Sequence, residues 1–192
     1  MRARIICELS AYLAMLIRSG LRGGASEAEA AHLESAPDIE RDGPSPAFFV
    51  HLYAIVPDRR VPRASAVFET ADETGEGQRL EVRRPPLWVA CRYLAGVRGR
   101  NREEEEEMLA TVLRTLHDHP SASAEQLPSI RGDASVDRIP LELIEERESW
   151  LAAGLLRPRP MIAIQASVPI LSSMSDPLQR VLNREIRVED LG

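Results

Sequence analysis

Residues 85–120 read PPLWVACRYLAGVRGRNREEEEEMLATVLRTLHDHP, and in this run the signals for a strand, a turn and a helix follow one another without overlap. Pro85 and Pro86 lack the backbone donor that a sheet ladder needs, so they mark a strand entrance. Beyond them Leu87, Val89, Cys91, Tyr93, Ala95 and Val97 alternate with Trp88, Ala90, Arg92, Leu94, Gly96 and Arg98. The first set fills one face of a strand, and the second, being mixed, is expected to face a partner or solvent. Gly99 and Asn101 break the strand. Asn101 with Glu104 has the spacing of an N-cap and capping box, which predicts a helix starting there. Met108, Leu109, Val112, Leu113 and Leu116 fall on one helical stripe and are expected to pack on the sheet. Glutamates 103–107 complement the positive end of the helix dipole, His117 and His119 stand at its negative end, and Pro120 stops it.

Working outward, the 192 residues are 44% hydrophobic and 28% charged, which describes a globular chain able to bury a core in a single domain without staples. Cys7 and Cys91 are too few for a disulfide framework, and each lies in an apolar run where a free cysteine acts as a small buried hydrophobe. A net charge of -6 argues against a general nucleic-acid binder, which needs a cationic surface to displace counterions from phosphates. All 24 basic residues are arginine, which reads as a base-composition effect and carries no chemistry.

Upstream, residues 3–21 place Ile5, Ile6, Leu9, Tyr12, Leu13, Leu16 and Ile17 at helical spacing, with Gly20, Gly23 and Gly24 ending the helix. Arg2 and Arg4 before an apolar run have the outline of a signal peptide, but Glu8 interrupts that run and no small-residue cleavage site follows. No segment is long and apolar enough to span a bilayer. Residues 24–46 read as an irregular excursion with a short extended piece at residues 32–35. Residues 47–56, AFFVHLYAIV, form an apolar run expected to be buried on both faces and central in the sheet. Residues 64–69 and 78–83 read as a hairpin.

Downstream, residues 121–133 read as a loop, 136–143 as a strand, 145–153 as a helical turn or two carrying Trp150, and 161–171 as a strand. In the last of these Ile162, Ile164, Ala166, Val168 and Ile170 share a core face, while Gln165 and Ser167 share a face left available. Residues 172–177 read as a linker to a charged tail. The whole is an α+β fold, a single domain with a mostly antiparallel sheet, helices packed chiefly on one face, and an extended C-terminal arm. The expected division is residues 1–171 for the domain and 172–192 for linker and arm.

The chemistry-bearing patterns are weak. His117 and His119, two apart on a helix, point to nearly opposite sides and read as a helix end rather than metal ligands. The acidic run reads as a solvated helix end, and Arg131-Gly132-Asp133 as a turn. There is no Gly-x-Ser-x-Gly elbow, phosphate loop or dinucleotide fingerprint. An assembly or binding protein is therefore expected over an enzyme, with no catalytic residue, cofactor or metal.

The order PPLWVACRYL, a Glu-rich helix ending in His117-Asp118-His119-Pro120, a strand at residues 139–145, a Trp150-containing segment and the strand RPMIAIQASVPI resembles the cap or tail-terminator proteins of contractile injection systems, of the Photorhabdus virulence cassette type. The pattern departs at Ala95-Gly96, where the family carries larger or hydroxylated residues, and residues 24–46 match no motif. The resemblance implies a structural protein that closes the baseplate-distal end of the inner tube, as a hexameric ring, and ties it to the last sheath layer. It further implies assembly in the cytoplasm into an injection particle, with inner-tube and sheath proteins as partners and neither nucleic acid nor membrane. A chaperone-like or regulatory α+β domain holding an apolar client is the alternative from another class.

Two contact surfaces are expected. Arg92, Leu94, Gln165 and Ser167, on the mixed strand faces, are candidates for a ring or tube interface. In the tail, Glu185, Arg187 and Glu189 alternate with Ile186 and Val188, a strand pattern suited to adding onto the sheet edge of another subunit, for which the resemblance points to the terminal sheath layer.

Overall fold

The amphipathic pattern near the N-terminus folds as α1, Ile5–Gly23, in the computed structural model, which describes residues 4–23, 32–33, 46–60, 67–70, 79–83, 86–130, 136–145, 160–170 and 175–177. In chain order there follow β1 His32–Leu33, β2 Ala47–Pro57, β3 Val67–Thr70, β4 Arg79–Arg83, β5 Leu87–Arg98, α2 Arg102–Asp118, β6 Ser121–Ser123, a 3-10 turn Pro128–Ile130, β7 Arg138–Ile144, β8 Ile162–Ile170 and β9 Ser175–Pro177. Contacts divide the chain into two compact units, Met1–Arg60 with Trp88–Ile170, and Val61–Leu87 with Leu171–Gly192.

The first unit is an α+β layer. Its strands run in the order β1-β2-β5-β8-β7-β6. The β2/β5, β6/β7 and β7/β8 pairs are antiparallel, and the two-residue β1 joins β2 in parallel. Both helices pack on one face. There Ile5, Leu9, Leu13, Leu16 and Ile17 of α1 and Met108, Val112 and Leu116 of α2 share a core with Cys91, Tyr93 and Ala95 of β5 and Ile164, Ala166 and Val168 of β8. Each such aliphatic side chain removed from water contributes roughly 1.5–3 kcal/mol, so this one cluster dominates the stability of the unit.

Polar groups fasten the helices to that layer. Ser10 Oγ lies 3.2 Å from the Tyr93 hydroxyl and 2.9 Å from the Ile6 carbonyl, and burial pushes the Tyr93 phenol up to about 12. Glu8, which breaks the apolar run in sequence, accepts from the backbone N–H (2.9 Å) and hydroxyl (2.7 Å) of Ser129 and so ties α1 to the 3-10 turn. Tyr12 is different: its hydroxyl is buried with no hydrogen-bond partner, and burial raises its pKa. An orphan polar group costs about 1–3 kcal/mol of desolvation, so Tyr12→Phe is expected to raise the urea midpoint slightly rather than lower it.

The cap of α2 forms as its spacing predicts, with the Asn101 side chain accepting from Glu104 N at 2.9 Å. The return bond falls one residue early, since the Glu104 carboxylate accepts from the N–H of Arg100 rather than Asn101. At the other end the His119 N–H caps the Thr115 carbonyl.

Several expectations are corrected. Leu113 is 43% exposed: the buried part of the stripe is Met108, Val112 and Leu116, with Leu109 partly buried against the same core. Cys7 is exposed, on the outer side of α1, although Cys91 is buried. Gly20 lies inside α1 rather than ending it. A Cβ there would come within 2.1 Å of Thr115 Oγ1, so glycine is what lets α2 approach. Strand β2 is not central but next to the edge, and its burial fades toward Pro57. The second face of β5 is not open either: Ala90, Leu94 and Gly96 are buried. That face carries a smaller apolar cluster of Ala47, Phe49, Leu94 and Ala163, and the Phe49 ring fills the space a side chain at position 96 would need.

The second unit holds a three-stranded sheet in the order β3-β4-β9, both pairs antiparallel. The hairpin is as expected, whereas part of the segment read as a linker is β9, which pairs with β4. The loop at 121–133 likewise contributes β6 and the 3-10 turn. The Trp150 segment, Arg131-Gly132-Asp133 and the tail strand at Glu185, Ile186, Arg187, Val188 and Glu189 lie outside the described residues.

Candidate assembly interface

The four residues read as a ring or tube interface, Arg92, Leu94, Gln165 and Ser167, do come together on the sheet face away from the helices. Arg92 Nε donates to Gln165 Oε1 at 3.1 Å. Leu94 is fully buried in the smaller apolar cluster, and Gln165 and Ser167 are buried as well, which leaves Arg92 as the half-buried member of the set.

Next to them lies a charged cluster that sequence reasoning missed. After β2 the chain turns at Asp58, whose N–H donates to the Trp88 carbonyl at 2.9 Å. Arg60 folds back so that its backbone N–H reaches Asp58 Oδ1 at 3.0 Å and its Nη2 lies 3.2 Å from Asp58 Oδ2. The same guanidinium donates to Ser167 Oγ at 3.2 Å and to Glu142 Oε2 at 2.6 Å, and the Ser167 hydroxyl donates to Asp58. One arginine thus links the turn to β7 and β8. The Asp58 side chain is 3% exposed, while Arg60 and Glu142 are 54% and 45% exposed, so the pair nearest solvent is Arg60 with Glu142.

The chemistry of this cluster is that of a clamp. The Arg60 guanidinium and the Ser167 hydroxyl hold the Asp58 carboxyl well below its ordinary 3.8, at about 2. A carboxylate so weakly basic cannot activate Ser167. Cys91, the buried thiol, is pushed up to about 11 by burial and is no nucleophile at neutral pH. Because the folded pKa of Asp58 is depressed, its contribution is fully present above about pH 4 and is lost as the pH falls through about 2. An acid titration of stability should therefore show a loss of about 1–2 kcal/mol in that window, absent from Asp58→Asn. The surface position of Arg60 keeps the figure below the full value of the shift.

A family model described as the Pvc16 N-terminal domain matches residues 8–183. The chain belongs to this family. The match takes in both helices nearly whole and every strand. No curated protein sequence matches the domain. Among solved structures, this chain is similar to the cryo-EM structure of the sheath/tube terminator, in the extended state, of the extracellular contractile injection system PVC. There the TM-score is 0.59 and the identity 19%, over 97% of this chain and 64% of that one. It is also similar to the tube-terminating cap of the anti-feeding prophage, with a TM-score of 0.52 and 21% identity, over 91% of this chain and 59% of that one. At these identities the likeness is one of fold, and the chain spans less than two thirds of either structure.

Proposed function

We propose that this chain is a structural cap of a phage-tail-like contractile injection system: a tube terminator that closes the baseplate-distal end of the inner tube as a hexameric ring and joins it to the last sheath layer. The observation that carries the proposal is the Pvc16 match over residues 8–183 together with a fold shared with two terminators. A cyclic tube end is best closed by a cyclic cap, since each tube subunit then meets an equivalent surface. The chain acts without catalysis, as a component assembled in the cytoplasm and carried in the particle. Its ring or tube contact draws on the face of Arg92 and Gln165, extended by the exposed Arg60 and Glu142 beside them.

The C-terminal arm supplies the sheath contact through Glu185, Ile186, Arg187, Val188 and Glu189. The seven residues 184–190, fully extended, span about 23 Å, and a handful of ladder hydrogen bonds at roughly 1 kcal/mol each becomes adequate when repeated around a ring. Deleting residues 182–192 is expected to leave a ring that still closes tubes but no longer co-purifies with sheath, and Ile186→Asp with Val188→Asp to reproduce that loss. Light scattering on the purified chain, alone and with tube subunits, tests the ring. A ring-sized species is expected in at least one condition, and a monomer in both would overturn the proposal.

A further inference from the structure

Helices α1 and α2 each bury one side in the core and leave the other to solvent, and the two outer sides carry opposite charge. On α1 the exposed residues include Ala11, Met15, Arg18 and Arg22, with Met15 at 58% exposure. The helix holds one acid, Glu8, and Ser129 already occupies it. In a chain of net charge -6 this outer side is a basic stripe around an apolar centre. On α2 the exposed residues include Glu103, Glu106, Glu107, Ala110, Leu113 and Asp118 together with the cations Arg102 and Arg114, so this outer side is net acidic around Ala110 and Leu113.

Within one copy these charges do not meet each other. Glu106 is taken by Arg102 at 2.8 Å, Arg18 sits over the Phe48 ring at 5.9 Å, and among the described residues Arg22, Glu103 and Glu107 make no ion pair. The geometry of the helix pair explains why. The seam between α1 and α2 runs past Gly20 and Thr115. Ala11 stands about two and a half turns from Gly20, so the outer side of α1 points away from the seam, and on α2 Glu103, Ala110 and Leu113 point away from Thr115 with Glu107 on the flank between.

We infer that the basic outer side of α1 in one copy docks on the acidic outer side of α2 in the next copy, Met15 and Leu113 packing between the charges. The contact deepens the ring proposed above and rests on it. It is heterologous, two different surfaces of the same chain meeting head to tail, which is the contact type that generates a ring when the rotation closes. Its net charges favour one direction, because α1 against α1 sets two basic sides together and α2 against α2 two net-acidic ones. The acidic run, a solvated helix end when read from sequence, thereby acquires a partner.

The test is a charge exchange on the full chain. Arg18→Glu with Arg22→Glu makes both surfaces acidic, and Glu103→Arg with Glu107→Arg makes both basic. Light scattering under the condition in which the unaltered chain forms a ring should find each variant at the mass of one chain, with a thermal melt that still shows a cooperative fold. Mixing the two variants should restore the ring mass, because acidic and basic copies then alternate. Variants that form rings alone, or a mixture that stays monomeric while the unaltered chain assembles, would overturn this contact and leave the cap proposal standing. An unaltered chain that stays monomeric even with tube subunits would overturn both.

Discussion

Leu13→Ala is expected to lower the free energy of unfolding by about 2–5 kcal/mol, the range for deleting a buried leucine whose surroundings cannot collapse into the gap. Leu13 is fully buried in the core that joins α1 to α2 and the sheet. Leu113 is the control. It falls on the same apolar stripe as Leu116 when α2 is read as a pattern, yet 43% of it is exposed, so Leu113→Ala should cost about 0.5 kcal/mol in the isolated subunit. Urea unfolding of both variants separates the two values. Equal large losses would mean that the outer side of α2 belongs to the fold of the single subunit rather than to a contact between subunits.

Gly96→Val is the second large effect, expected to cost about 1–3 kcal/mol or more by overpacking. A Cβ at this position would come within 2.4 Å of the Phe49 ring, so the ring would have to shift although it is fully buried in its own apolar cluster. Gly96 pairs with Phe49 across β2 and β5, so both backbones are held by the ladder and the strain cannot pass into a loop. Phe49→Leu should recover part of the loss when combined with Gly96→Val, while costing stability by itself. Additive losses in the double variant, measured by the same unfolding experiment, would contradict this contact.

These positions mark how far the sequence could be read. The Asn101 cap and the α1 stripe are local: the residues that decide them lie within a few positions of one another, and each forms as its spacing predicts, whereas the face of β8 read as available, that of Gln165 and Ser167, is buried. Burial of the second face of β5 was not legible in that way, because it depends on Phe49 meeting Gly96 from another strand. The same holds for the clamp. Arg60 meets Glu142 and Ser167 at separations of 82 and 107 residues, and Asp-Arg-Arg after a strand looks like any polar turn until the sheet order β5-β8-β7 brings those strands beside it. Arg92, Leu94, Gln165 and Ser167 lie on one face, and the bond from the half-buried Arg92 to the buried Gln165 is that of a satisfied interior pair as much as of a contact surface.

The central claim, that this chain ends the tube, is tested most directly by electron microscopy of particles assembled with and without it. With the chain present, tubes of one length should end, away from the baseplate, in added density with six-fold symmetry. Without it, tubes should run to widely scattered lengths and lack that density. Tubes of unchanged length with an unchanged distal end in its absence would contradict the account.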